Sequence, residues 1–250
     1  MLTSAASLLV LTGAGISAES GVPTFRGPDG LWRSHRPEAL ATPEAFARDP
    51  RLVWEWYGWR RALVSRCRPN AAHLALARAA RAKAGIHLVT QNVDGLHVDA
   101  ARALAAGGEQ PLRGAPLELH GSLFRARCTR CGDEREHREP IDATSIDTLP
   151  ACARCGALLR PAVVWFGEPL DEAVLERAWS LAAESAACLV VGTSAVVQPA
   201  ASLAEVTRRA GGAVIEVNPE PTPLTPHATV SIRGTAVEMV PRLLGELPVG

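Results

Sequence analysis

An excess of charge of one sign is what this sequence lacks first. Its 26 basic residues are matched by 26 acidic ones, so the formal net charge is zero. With no basic tract either, nucleic-acid binding has no electrostatic footing. Lysine is almost missing: Lys83 is the only one, and every other basic residue is arginine. That is a compositional bias without a functional reading. No apolar run is long enough to cross a bilayer. The N-terminus has no basic stretch or cleavage site, and Leu8–Leu11 is too short an apolar core for a signal peptide. The chain is therefore expected to be cytoplasmic, with no membrane partner. Cytosolic cysteines stay reduced, so the six cysteines present suggest a metal before disulfides.

The 250 residues are 47% apolar, enough for one sizeable core or a large domain with a smaller insert. Four apolar runs look like buried parallel strands: Leu8–Leu11, Ile86–Val89, Cys188–Val191 and Ala213–Val217. Alanine-rich helical stretches such as Ala71–Lys83 and Glu172–Ser185 lie between them. The alternation predicts an α/β fold with a Rossmann-like, doubly wound parallel sheet. That domain is expected over 1–27, 70–124 and 161–250. Residues 28–69 form a helical insert, with caps at Thr42 before Pro43 and Asp49 before Pro50. Residues 125–160 form a zinc-ribbon insert, and the two inserts are expected to make a smaller lobe.

In open parallel sheets, ligands sit beyond the carboxyl ends of the strands. Here those ends read Thr12, Gly13, Ala14, Gly15; Thr90, Gln91, Asn92, Val93, Asp94; Gly192, Thr193, Ser194; and Asn218, Pro219, Glu220. Ala18 completes a G-x-G-x-x-A pattern after the first strand, by itself a weak signal. Glycine and asparagine as mere strand terminators explain any one end, but not four in phase. The end of the second strand lacks the acidic residue with which a dehydrogenase holds the adenine ribose. Hydride transfer is therefore disfavoured.

Cys128-x2-Cys131 and Cys152-x2-Cys155 are twenty residues apart, the spacing of a four-cysteine zinc ribbon. Four thiolates leave no open position, so the zinc is structural. Cys67 and Cys188 read as inert. His120 closes a short apolar run, Leu117–Leu119, just ahead of this insert. A histidine at such a cleft can act as a general base or only as a structural hydrogen-bonder.

Taken in order, Gly13-Ala14-Gly15-Ile16-Ser17, Pro23-Thr24-Phe25-Arg26, Gln91-Asn92-Val93-Asp94, His120-Gly121, the two cysteine pairs, Val164-Trp165-Phe166-Gly167-Glu168 and Gly192-Thr193-Ser194 resemble the sirtuins. The resemblance spans nearly the whole chain. It implies an NAD-dependent protein lysine deacylase that consumes NAD and yields free lysine, nicotinamide and O-acyl-ADP-ribose. It implies His120 as base on a ribose hydroxyl, with Asn92 and Gln91 ordering the nicotinamide ribose and Asp94 holding the carboxamide. Gly13, Ala14, Gly15, Ser17, Glu19, Thr24, Phe25, Arg26 and Trp32 belong to the implied NAD site. So do Gly192, Thr193, Ser194, Asn218, Pro219, Glu220 and Ala236. Val163, Val164, Trp165, Phe166 and Gly167 match the extended strand on which an acylated-lysine peptide lies, with Thr193–Pro199 on the peptide's other side.

Tyr57, the only tyrosine, and Arg60 are three apart on a predicted helix and share a face. A phenol and a guanidinium there could clamp a carboxylate, or the helix could simply expose its arginines to solvent. The pair resembles the Tyr-x-x-Arg signature of class III sirtuins. Ala41 resembles the small residue that widens their acyl pocket. This implies succinyl- and malonyl-lysine as substrates beside acetyl-lysine. A deacetylase of the same family, a mono-ADP-ribosyltransferase and a non-catalytic NAD-binding zinc module are the rival readings. The chain is expected to act as a monomer.

Overall fold

Seven helices and nine strands arise from the described parts of the chain, residues 7–24, 40–108 and 114–245 of a computed structural model. The strands are β1 (Leu8–Thr12), β2 (Ile86–Thr90), β3 (Leu117–Glu118), β4 (Gly121–Cys128), β5 (Glu134–Glu136), β6 (Leu159–Val163), β7 (Ala187–Val191), β8 (Ala213–Val217) and β9 (Val230–Ile232). The α-helices are α1 (Pro43–Arg48), α2 (Pro50–Val64), α3 (Ala71–Ala82), α4 (Leu96–Ala106), α5 (Glu172–Glu184), α6 (Ser202–Arg209) and α7 (Ala236–Gly245).

Six strands form one parallel sheet in the order β3-β2-β1-β7-β8-β9. Every residue of β1 and β7 is buried, which is why both read as unbroken apolar runs. Alternation divides their side chains between two cores. Leu8, Val10, Leu189 and Val191 pack against α3 and α7, whereas Leu9, Leu11, Cys188 and Val190 pack against α5 and α6. Cys188 lies in that second core with its thiol pushed up to about 12 by burial.

A third core joins α1 and α2 to the antiparallel sheet β5-β4-β6. Its helices start where the sequence places their caps. Thr42 Oγ1 accepts from Ala45 N at 3.1 Å and Asp49 Oδ1 from Leu52 N at 3.0 Å, each ahead of a proline at the first turn. Trp54, fully buried, donates its indole N–H to Leu159 O at 2.9 Å and so ties α2 to β6. Truncating such a side chain to alanine costs about 3–5 kcal/mol.

One expected element is shorter. The stretch from Val163 to Glu168 does not stay extended: β6 ends at Val163 and the chain turns, with Glu168 N donating to Trp165 O at 3.0 Å and Gly167 at φ +84°. The cause is local. The Glu168 carboxylate is drawn to Arg160 and also accepts from Trp165 N at 2.8 Å, which folds the segment back on itself.

Candidate active site at the carboxyl edge of the parallel sheet

Strand β1 lies between β2 and β7, so the loops leaving β1 and β7 meet at the point where the strand order reverses. They meet backbone to backbone. A Cβ on Gly13 would stand 2.7 Å from Thr193 Cβ, and one on Gly15 would stand 2.8 Å from Gly192 Cα. Gly192 itself has φ +60°, and a Cβ there would lie 2.5 Å from Ile16 N. Only glycine fits this approach. The amides of Gly13 and Gly15 donate to Val191 O and Gly192 O and so fix the shape of the cradle. Thr193 links the neighbouring strand ends: its hydroxyl accepts from Gln91 Nε2 at 3.0 Å and its carbonyl from Asn218 Nδ2 at 2.8 Å.

Below this cradle Ser17 organises a buried polar cluster. Its hydroxyl donates to Asp94 Oδ2 at 2.7 Å and accepts from Asn92 Nδ2 at 3.2 Å. Asn92 Nδ2 also donates to Gly13 O, and Asp94 Oδ1 accepts from Leu96 N at 2.9 Å. Burial pushes the Asp94 carboxyl above the usual carboxylate range, while the bonds from Leu96 and Ser17 pull the other way. Asn92, Asp94, Ala14, Pro23, Arg60 and Leu123 line one cavity.

Two histidines near helix starts, His73 and His97, whose role the sequence leaves ambiguous, support this cluster. His97 Nε2 lies 2.9 Å from Thr12 Oγ1, which donates to Thr90 Oγ1, joining the ends of β1 and β2. His73 completes the capping box of α3 with Asn70 and turns Nε2 to Ser17 Oγ at 3.3 Å. Burial pulls its pKa down to about 4, so it stays neutral.

His120 follows β3 at the cleft between the two sheets. The next residue must be glycine: Gly121 has φ +75°, and a Cβ there would overlap the Ala162 carbonyl oxygen. His120 Nδ1 is 2.9 Å from Gln91 O. A carbonyl only accepts, so Nδ1 carries the hydrogen and Nε2 carries the lone pair. Burial lowers the pKa of this ring, and the bond to Gln91 acts against that fall. The ring is therefore a neutral proton acceptor at physiological pH.

On α2 the side chains of Tyr57 and Arg60 turn inward: they are 1% and 3% exposed, which rules out a solvated arginine face at this position. The Arg60 guanidinium lies 4.6 Å from the Trp56 ring centroid and 5.5 Å from that of Tyr57. Burial works against its charged form, and the neighbouring Asp94 carboxylate favours it. Tyr57 Oη accepts from Trp165 Nε1 at 2.9 Å. Ala41, also buried, accepts from Phe166 N at 3.0 Å, and Val164 N donates to His120 O. These contacts bring Ala41, Tyr57, Trp165 and His120 around one region between the two sheets.

Away from the cleft, Cys128, Cys131, Cys152 and Cys155 hold their sulfurs within 4.8 Å of one another. The contacts Cys128–Cys155 and Cys131–Cys152 are 3.4 and 3.7 Å. Tetrahedral zinc with bonds of about 2.3 Å separates its sulfurs by about 3.8 Å, so the four thiols fit a structural zinc.

A model of the Sir2 family matches residues 13–199. The chain belongs to the Sir2 family. It is 49% identical over 247 residues to "NAD-dependent protein deacylase 2" of Pyrobaculum aerophilum, covering 99% of this chain and 93% of that protein. It is 48% identical over 249 residues to the NAD-dependent protein deacylase of Pyrococcus abyssi, covering 99% and 95%. The solved structure of a Sir2 homologue–NAD complex superposes with a TM-score of 0.86 at 48% identity, covering 98% of this chain and 90% of that one.

Within this Sir2 chain, Phe25, Arg26 and Trp32 lie outside the described residues, and Thr24, just before Phe25 in the sequence, is half-buried. Glu19 is exposed but reaches α7, its Oε2 accepting from Val237 N at 3.3 Å next to buried Ala236. Ser194 is half-buried, while Pro219 and Glu220 are exposed on the loop after β8. That loop is held by Arg233, which donates to Asn218 O and Glu220 O. Beneath it Glu216 is buried and accepts from Thr225 and Ser231, and from Thr222. The sequence does not announce Glu216, because a carboxylate in a core strand runs against the pattern that identifies the strand.

Proposed function

We propose that this chain is an NAD-dependent protein lysine deacylase that removes succinyl and malonyl groups, and acetyl groups as well. NAD would rest on the Gly13–Gly192 cradle. It is the co-substrate and supplies the nicotinamide–ribose bond whose cleavage accepts the acyl oxygen; the products are nicotinamide, free lysine and O-acyl-ADP-ribose. Asp94, fixed by Ser17 and Leu96 N, would hold the nicotinamide carboxamide. Asn92 spends its amide hydrogens on Gly13 and Ser17, which leaves its oxygen to order the ribose. His120 Nε2 would take the proton of a ribose hydroxyl, its tautomer held by Gln91 O. The acylated segment would lie between Val163–Gly167 and Thr193–Pro199, where Phe166, Val196 and Val197 are exposed. Backbone pairing of this kind selects little among side chains.

The observation that carries the acyl preference is the burial of Arg60 beside Tyr57 on the wall of the cavity that holds Asn92 and Asp94. A guanidinium held at that wall, its charged form favoured by Asp94, would take a succinyl or malonyl carboxylate with two parallel bonds. Mass spectrometry of paired acetyl- and succinyl-lysine peptides, with and without NAD, tests this. NAD-dependent succinyl removal should fall about 10- to 100-fold in Arg60→Met, since a charge-assisted bond is worth about 1.5–3 kcal/mol. Acetyl removal should fall far less. Equal loss of both would leave Arg60 a structural residue only.

A further inference from the structure

The contact between Trp165 and Tyr57 has a fixed polarity. An indole N–H can only donate. At 2.9 Å from Trp165 Nε1, the Tyr57 oxygen is therefore the acceptor, and its own hydrogen must serve a different acceptor. Burial raises the Tyr57 pKa, so that hydrogen is retained at neutral pH. Trp165 is itself clamped. It is 3% exposed, and its backbone N–H donates to Glu168 Oε2. Arg160 stacks over its ring at 3.4 Å from the centroid while binding the Glu168 carboxylate with both Nη atoms. Phe46 also packs on it, 5.5 Å from the indole between ring centroids. The indole has little freedom to turn its N–H elsewhere.

We propose that Trp165 is a positioning residue for acyl specificity: it occupies the acceptor side of the Tyr57 hydroxyl and so presets that hydroxyl as a donor to the carboxylate of a dicarboxylic acyl group. The proposal rests on the reading of Tyr57 and Arg60 as the carboxylate clamp. Arg60 supplies charge, Tyr57 supplies the second donor, and Trp165 sets the direction of that donor without touching the carboxylate. A neutral acetyl group offers no acceptor there, so the effect belongs to the succinyl:acetyl ratio.

The test uses the full chain with saturating NAD and two peptides, one succinylated and one acetylated on lysine. Trp165→Phe keeps a ring beside Arg160 and Phe46 and removes the N–H. Replacement of Trp165 by benzothienylalanine keeps the indole's size and shape and removes only the N–H, so it guards against loss of packing in the phenylalanine variant. One hydrogen bond's worth of orientation should appear as a drop of about five-fold in the succinyl:acetyl ratio of kcat/KM, mainly through the succinyl KM. In a Tyr57→Phe background either Trp165 substitution should change the ratio no further. An unchanged ratio in the benzothienylalanine protein, or effects that multiply with Tyr57→Phe, would overturn the proposal. Arg60→Met separates the two levels. If it leaves succinyl turnover intact, the clamp itself is wrong; if it removes succinyl turnover while both Trp165 variants keep the wild-type ratio, only the positioning role is wrong.

Discussion

Asp94→Asn should make the protein more stable and less active. Asp94 is 4% exposed and its carboxyl is raised by burial, so the folded state holds a proton there more tightly than the unfolded chain does. The ionised carboxylate thus opposes folding at neutral pH. Asparagine removes that cost and keeps the local geometry. Its oxygen can still accept from Leu96 N and its amide can donate to Ser17 Oγ, while the Ser17 hydroxyl gives up its bond to the carboxylate, because His73 Nδ1 accepts from Asn70 N and its Nε2 carries the hydrogen. Replacing a charge-assisted bond by a neutral one loses about 1 kcal/mol. Arg60 also loses a favourable neighbouring charge. Against these stands an effective burial penalty of several kcal/mol for a carboxylate. A net gain of about 2 kcal/mol follows, which in a chain of this length raises Tm by about 4–8 °C. The difference between variant and wild type should shrink on acidification, because wild-type Asp94 becomes neutral as pH falls through its raised pKa. Other groups, His73 among them, titrate in both proteins and cancel in that difference. Thermal unfolding by circular dichroism, paired with NAD-dependent deacylation of an acetyl-lysine peptide, reads both effects. Deacylation should fall at least about ten-fold, since the carboxamide loses its charged partner. A lower Tm at about pH 7.5, or a gap that widens in acid, would show that the carboxylate stabilises the fold and would refute the reasoning.

Further predictions concern the base, the metal and the cradle. His120→Ala should lower kcat by about 10²–10⁴-fold with little change in Tm, because the ring makes one hydrogen bond to the protein; a comparable fall in NAD binding by calorimetry would argue for a structural role instead. Since burial holds the His120 pKa below its ordinary value, wild-type kcat/KM should be lost only as pH falls below the usual histidine range, and a loss beginning above it would contradict a ring held neutral by burial. Cys131→Ser should reduce bound zinc, measured by plasma mass spectrometry, from one per chain towards none and lower Tm, because four thiolates on one ion tie the two cysteine turns together. Gly192→Ala places a Cβ 2.5 Å from Ile16 N at φ +60° and should cost about 2–4 kcal/mol together with NAD affinity; retention of both would mean that the two loops separate easily.

The sheet was legible because its strands obey a single rule. Buried on both faces, β1, β2, β7 and β8 appear as short apolar runs between alanine-rich helices, and each starts and stops within a residue of its pattern. Proline after a capping side chain located α1 and α2 for an equally local reason. β5 and β9 were not legible. Three exposed residues, Glu134, Arg135 and Glu136, form β5 only because β4 offers a paired edge, and no intrinsic pattern marks them. The turn at Trp165–Glu168 was missed because its cause, the Arg160–Glu168 pair, joins residues on either side of a strand end.

The candidate site divides along the same line between local and long-range causes. Gly13, Gly192, Asn92, Asp94 and the four cysteines stand at strand ends or at fixed spacing, so their positions follow from pattern. Their immediate partners do not. His73 and His97 sit in first turns of helices, where a histidine carries no message until the ends of β1 and β2 are brought against it. The amides of Gly13 and Gly15 are bonded to Val191 O and Gly192 O, partners that the glycine fingerprint does not name. Tyr57 and Arg60 show the limit most clearly. Helical spacing puts them on one face, but only the tertiary structure turns that face inward, and only the indole of Trp165, 108 residues further along, sets which way the phenol can donate. Chemistry that depends on the direction of a hydrogen bond is fixed by partners distant in sequence, and it becomes readable when the fold has brought them within reach.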